Sequence, residues 1–259
     1  MISDYMNQNR LVLNSEKTHL LVMTSARNHK RHENYGITLD TGTEIIEPGS
    51  EEKLLGGHVT NDLKWNSHVR DNKRSLINIL ISRVNALKKI SMYTSFKTRK
   101  MVANGVVLSH LTYFIQLYGG CSGELISALQ LVQNKAARAV TKLDRSTPVS
   151  KLLLQCGWMS IRQMIFYHSL LLLYKTKKNK KPGYIFSKIN DKFPRRTRLA
   201  AAEGIRDSRN FRSALAQASF IPRTIKAWNE DLPVEIRSED RLNRFKTKLK
   251  TWITENIEP

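Results

Sequence analysis

The sequence predicts an α+β fold, mainly α: a small N-terminal β-sheet, a helical bundle, and a basic C-terminal helical region. Two changes along the chain predict it, and both fall in residues 53–69, KLLGGHVTNDLKWNSHV. Before this stretch the apolar residues come in short runs of strand length; after it they recur at helical spacing. The charge changes there too. Residues 1–60 carry 6 Lys and Arg against 8 Asp and Glu, whereas residues 61–259 carry 37 against 14.

Taken in order, residues 2–8 read as the end of a helix, and Asn9 and Asn14 suit turns. A strand is expected over 17–23, followed by a basic loop over 25–34. Segments 36–40 and 44–47 flank Thr41-Gly42-Thr43 as a hairpin, which Pro48-Gly49 would close. One further strand over 53–59 would complete a small sheet. Few strands of this length make an independent domain, so the sheet reads as the edge of something larger. The neighbouring Gly56 and Gly57 either let a backbone or ligand come close or make a tight turn.

From Trp65 onward a long helix is expected. Val69, Leu76, Leu80, Val84 and Leu87 fall on one face, and Arg70, Arg74, Arg83, Lys88 and Lys89 largely elsewhere. A second helix over 96–117 would bury Val102, Val106, Ser109, Tyr113 and Leu117 and stop at Gly119-Gly120. A third, over 123–143, would bury Leu125, Leu129, Val132, Ala136 and Val140. A short helix from Pro148 and a very apolar one over 161–175 complete the bundle. The run KTKKNKK at 175–181 reads as a linker, or as a nuclear-entry or RNA-binding patch. Beyond it lie a basic stretch around Pro194 and two helices, 219–230 and 239–257, separated by Leu232-Pro233, with Trp228 as core. The domain division expected is 1–60, 61–176 and 177–259.

A net charge of +21 and a pI near 10.1 favour a polyanionic partner, nucleic acid before an anionic membrane surface. Residues 1–10 have no apolar core, and the longest unbroken apolar run, 170–174, is too short for a bilayer. The expectation is an intracellular protein of cytoplasm or nucleus with no membrane partner. Its oligomeric state is left open. Cys121 and Cys156 stand apart, so neither a zinc site nor a disulfide framework is indicated.

No GxGxxG, GK[ST] phosphate loop, HExxH or GxSxG motif occurs. The acidic pairs Glu51-Glu52, Glu230-Asp231 and Glu239-Asp240 read as solvated surface. His29 and His32 have a metal-ligand spacing, but Lys30 and Arg31 between them oppose a cation, so an ordinary loop is expected.

Several segments together carry a resemblance. Leu11-Val12-Leu13-Asn14 with Lys17-Thr18 and the apolar run 20–23 resembles the LxLNxxKT segment that follows the catalytic carboxylates in reverse transcriptases of non-LTR (LINE-type) retrotransposons. Residues 53–69 resemble that family's YLG segment with its trailing LxWxxH, matched by Leu55-Gly56, Leu63, Trp65 and His68. They depart from it in having Leu54 for the usual aromatic and Gly57 for the usual small apolar residue. Residues 131–138 (LVQNKAAR), Ala227-Trp228-Asn229, Leu232-Pro233, Ile236-Arg237 and Phe245-Lys246 are similar to the family's C-terminal tail. The match spans nearly the whole chain.

The resemblance implies the end of a palm over 1–60, a thumb-like bundle over 61–176 and a C-terminal region after it. In the family a YxDD turn holds two magnesium ions for nucleotidyl transfer. This chain has no adjacent Asp-Asp, and Met1 is expected to lie just downstream of that turn. Magnesium is therefore expected only in a complete polymerase, no catalytic residue or metal ligand is assigned to this chain, and no polymerase activity is expected from it alone.

What the resemblance implies for this chain is grip on an RNA–DNA or DNA duplex through its backbone. Gly56 and Gly57 would approach the primer terminus, and Lys17 would lie beside the active site. Trp65 and His68 would open the first thumb helix, with Trp65 either a packing anchor or a base-stacking platform. Arg70, Lys73, Arg74, Lys88 and Lys89 would meet phosphates. The rival readings are a domesticated nucleic-acid-binding module and a helical module that binds an acidic protein.

Overall fold

The computed structural model describes residues 5, 6, 8–11, 14–24, 28, 36–41, 44–189, 204–206, 211 and 213–258. The chain is α-rich with a few small sheets, and it divides into two compact units, residues 1–75 and 76–259. The basic loop over 25–34, His29 and His32 included, lies outside the described residues apart from Asn28, as does the stretch around Pro194.

In the first unit the strands form three two-stranded ladders among the described residues, where one small sheet was expected. The Asn14 side chain accepts the backbone N–H of Lys17 at 3.1 Å and starts a 3-10 turn, Ser15–Lys17. This turn uses the front of the expected strand, so β1 is only Leu20–Leu21. The hairpin strands are β2 (Leu39–Asp40) and β3 (Ile45–Ile46), paired antiparallel. Pro48–Gly49 does not close that hairpin. It is β4, which pairs in parallel with β1.

The strand expected over 53–59 is instead a hairpin of β5 (Glu51–Leu54) and β6 (Gly57–Thr60), with Leu54 opposite Gly57. Its two-residue loop is Leu55-Gly56, with φ of 50° and 87°. Positive φ at both loop residues matches the right-handed twist of the flanking strands, which is why such loops suit tight hairpins. The glycine pair thus serves a tight turn, the first residue in the loop and the second at the start of β6.

The long helix expected from Trp65 starts only at Leu76. Between them stand a single π-helical turn, Ser67–Asp71, and an extended Asn72 at φ −82° and ψ 148°. Asn72 explains the break: its Oδ1 accepts the Arg74 N–H at 2.8 Å and its Nδ2 donates to Glu51 Oε1 at 2.8 Å. Short amides that bond nearby backbone compete with helix in this way.

In the second unit α1 (Leu76–Ser91) buries Leu76, Leu80, Val84 and Leu87, the face the sequence predicts. Next comes α2 (Phe96–Ala103), whose cap Ser95 accepts the Thr98 N–H. A π turn, Asn104–Leu108, leads into α3 (Ser109–Thr112). The helix then breaks at Phe114, φ 58°, before α4 (Ile115–Tyr118). The stripe expected here is wrong by one or two positions: Ser109, Tyr113 and Leu117 are exposed, while Ala103, Val107, Leu111, Ile115 and Tyr118 are buried. Gly119 and Gly120 then serve close packing. A Cβ on Gly119 would meet Ile165 Cγ2 at 2.7 Å, and one on Gly120 the Ala218 carbonyl oxygen at 2.1 Å.

The third helix, α5 (Gly123–Thr141), buries its predicted stripe, and Ser122 caps it. After α6 (Val149–Cys156) the capping box of Ser160 and Gln163 starts α7 (Ile161–Asn179). This helix runs into the expected linker at 175–181 and ends at Asn179, with Lys180 as its left-handed cap at φ 54°. Thr176 is buried, Lys177 Nζ lies 5.7 Å from the centre of the Trp228 ring, and Lys178 pairs with Asp240. Those contacts hold the lysines up to Lys178 against Trp228 and Asp240, which is why this part of the run stays helical.

The remaining helices are α8 (Gly183–Phe186), α9 (Ala214–Ala218), α10 (Phe220–Lys226), α11 (Val234–Arg237) and α12 (Leu242–Asn256), with a π turn, Ala227–Asp231, after α10. Trp228, Phe245, Leu249 and Ile253 are fully buried beneath α7. Among the described residues no helix is long and apolar enough to cross a membrane.

Candidate nucleic-acid interface

The first unit places part of the predicted site around one carboxylate. Glu51, at the start of β5, accepts from His58 Nδ1 at 2.7 Å, from Asn72 Nδ2 at 2.8 Å, and from the Ser67 hydroxyl. The Ser67 bond pulls the Glu51 carboxyl below its ordinary range, against burial, which pushes it up; the Asn72 and His58 bonds add to the lowering. Next to this centre His68 is buried, and its Nδ1 accepts the backbone N–H of His58 at 3.4 Å. Burial, helped by His58, holds the His68 imidazole below its ordinary value and so in the neutral form that can accept this bond. The half-buried Trp65 meets His68 edge-on, with ring centres 6.0 Å apart.

This arrangement gives the Trp65 and His68 spacing a structural meaning. Both rings and Ser67 sit on one side of a joint whose other side is the β5–β6 hairpin. Gly57 is buried opposite Leu54, whereas Gly56 is exposed in the loop. Glu51 was expected to be solvated surface and is instead the hub of the joint. Glu239 also departs from that expectation, with a side chain only 10% exposed and paired to Lys248 at 2.7 Å.

The cations are exposed as expected, though on a different framework. Arg70 lies in the π turn and bonds its neighbour Asp71 at 3.1 Å, and Lys73 and Arg74 lie in the break before α1. Lys17 is exposed in the 3-10 turn of the first unit. Lys88 and Lys89 occupy the last turn of α1 in the second unit. Arg83, on the same helix, turns inward in part: it donates to the Val106 carbonyl at 3.1 Å.

Sequence reading missed two features. Arg99 is buried, donating Nε to the Val140 carbonyl at 2.7 Å and Nη1 to the carbonyls of Ser91 and Thr94. It ties the ends of α1 and α5 to α2. The other feature was legible: from residue 72 to 123 there is no Asp or Glu, while Lys and Arg recur from Lys73 to Lys100. The turn between α1 and α2 in this acid-free stretch exposes Met92 (74%) and Tyr93 (91%), between Lys88 and Lys89 before it and Lys97 after it.

Among the described residues no group of three or more His, Cys, Asp or Glu is placed to hold a metal ion. Compared with protein-family models, curated proteins and solved structures, the chain gives no match.

Proposed function

We propose that this chain is the C-terminal part of a non-LTR retrotransposon reverse transcriptase, comprising the end of the palm, the thumb and the C-terminal region, and that it retains grip on a template–primer duplex. The ordered motif matches, LxLNxxKT, LG with LxWxxH, and the tail with Trp228-Asn229 and Leu232-Pro233, support the family reading. One observation supports the grip: the helices of residues 76–118 carry no acidic side chain and expose Lys88, Lys89 and Lys97 around an exposed tyrosine. Such a surface attracts a phosphate backbone without reading its sequence. Lacking an adjacent Asp pair, this chain binds without polymerising.

Binding of the full chain to a fluorescent RNA–DNA hybrid across a salt series tests the proposal. Log affinity is expected to fall with log salt at a slope of about −4 to −5 if five cations reach phosphates. A helical module that recognises an acidic protein gives no duplex binding at micromolar chain, and that outcome rejects the proposal.

A further inference from the structure

The turn between α1 and α2, residues 92–95, is held by hydrogen bonds from both sides. The buried Arg99 donates Nη1 to the Ser91 carbonyl at 3.3 Å and to the Thr94 carbonyl. The Thr94 hydroxyl donates to the Ile90 carbonyl at 2.9 Å, the Tyr93 N–H to the same carbonyl at 3.1 Å, and Ser95 caps α2. What this frame holds up is Met92 and Tyr93, both in solvent. Tyr93 is 91% exposed, and among the described residues its side chain takes part in no hydrogen bond or ring contact.

A ring left in water adds nothing to folding, because burial of its faces is what would stabilise the chain. A ring on a fixed backbone is, however, a platform whose ordering cost is met before a partner arrives. Cations flank it. Lys88 and Lys89 in the last turn of α1 and Lys97 in the first turn of α2 are exposed, and no Asp or Glu occurs from residue 72 to 123. Such a surface fits a partner that offers a flat π face beside fixed negative charge. A nucleotide has both, in its base and its phosphate. Within a duplex the base faces are covered by their neighbours, so an unpaired nucleotide is the form that can offer one. A lipid surface supplies the charge but calls for a broader apolar face than Met92 and Tyr93, which Thr94 and Ser95 follow directly.

We propose that Tyr93 stacks on an unpaired base of a strand that runs on from the duplex, with Lys88, Lys89 and Lys97 on the phosphates to either side. The setting rests on the duplex reading above; the stacking residue and the single-stranded ligand are additional to it. Arg99 contributes by holding the turn and does not touch the strand.

The experiment measures binding of the full chain to one RNA–DNA hybrid in two forms, with a single-stranded oligoadenylate extension and with an abasic extension of equal length. Both carry the same phosphates, so the difference between them reports the bases alone. The base-bearing form is expected to bind about tenfold tighter, the size of a stacked base lost to alanine. Tyr93→Ala is expected to erase that difference and leave the abasic form unchanged, while Tyr93→Phe keeps it. Equal affinity for the two forms, or a difference that survives Tyr93→Ala, overturns the proposal. So does Tyr93-dependent binding to phosphatidylserine vesicles without a base preference, which gives the turn to a membrane surface. Binding of the abasic form with no gain from bases keeps the duplex reading and rejects the stacking; no binding of either form rejects both.

Discussion

The Ser67 hydroxyl donates to Glu51 Oε2, joining the π turn to the first strand of the β5–β6 hairpin. With His58 and Asn72 on the other oxygen, this carboxylate takes bonds from three side chains. Hydrogen bonds to an ionised group are worth about 1.5–3 kcal/mol each, less where solvent reaches them. Glu51→Gln keeps the shape and removes the charge, so it is expected to destabilise the first unit by about 1–2 kcal/mol at neutral pH. Urea unfolding followed in that unit measures this, and an unchanged midpoint counts against the hub role.

The same joint sets an acid limit in two windows. His68 binds a proton less readily folded than unfolded, so its contribution is complete above its ordinary value of 6.5 and is lost as pH falls below it. Glu51 has a lowered carboxyl, so its contribution is complete above 4.5 and is lost as pH falls through the folded value beneath. Stability of residues 1–75 is thus expected to decline first below pH 6.5 and again below 4.5. An NMR titration of the His68 ring with a midpoint at or above 6.5 would contradict the first window.

The loop of that hairpin carries a residue unsuited to it. Leu55 sits at φ 50° with its side chain in solvent, 77% exposed, so it tolerates a left-handed backbone and gains no burial. Leu55→Asn supplies the pairing with Gly56 that such loops prefer and is expected to stabilise the hairpin by about 0.5–1 kcal/mol. Gly56→Ala, at φ 87°, is expected to cost about 1–2 kcal/mol. Opposite signs for the two changes in one thermal melt series test the turn assignment, and a destabilising Leu55→Asn refutes it.

Helices with a plain apolar period were legible: the stripes from Leu76 to Leu87 and from Leu125 to Val140 are buried where expected. The stripe on α2 to α4 was not, for a geometric reason. Its buried positions, Arg99, Ala103, Val107, Leu111 and Ile115, step by four, wider than the 3.6 residues of an α-helix turn. The π turn, Asn104–Leu108, widens the helix and keeps that row facing inward, and a row that begins with an arginine does not register as apolar. In the first unit, ladders such as β1 with β4 depend on distant pairing that no local pattern encodes. The cations of the candidate interface were legible as charge. Glu51 and Asn72, which position the neighbouring turn, look like any surface pair until the chain is folded.

Arg99 gives the next prediction. It supplies donors to the last carbonyls of α1 and α5, where helix dipoles favour a cation. Arg99→Leu removes those donors from buried carbonyls and is expected to cost about 3 kcal/mol. Arg99→Lys recovers only part of this, because an ammonium lacks the planar fork. Denaturant midpoints for the two variants check the order, and equal stability of all three chains removes Arg99 from the core.

In the C-terminal region the Tyr174 and Phe245 rings stack at 3.9 Å and 15°, and Trp228 lies 6.1 Å from Phe245. Trp228 is fully buried, so Trp228→Ala is expected to cost about 3–5 kcal/mol through the cavity it leaves. It also removes the ring beneath Lys177, freeing the end of α7. Faster amide hydrogen exchange over Lys175 to Asn179 in this variant is the expected signature. Unchanged exchange there means that the lysine run holds its helix without Trp228.

The last prediction concerns Lys88 and Lys89, which are exposed at the C-terminal turn of α1. Exposed lysines contribute little to folding, so Lys88→Gln with Lys89→Gln leaves the melting temperature nearly unchanged. If both reach phosphates, each lost contact reduces the salt slope of duplex binding by about one. The intercept alone does not discriminate, since any loss of positive charge weakens attraction at low salt. The slope does, because it counts counterions released at contacts. A weaker but equally steep salt dependence places the contacts elsewhere on the acid-free helices, with Lys97 beside Tyr93 the next to replace.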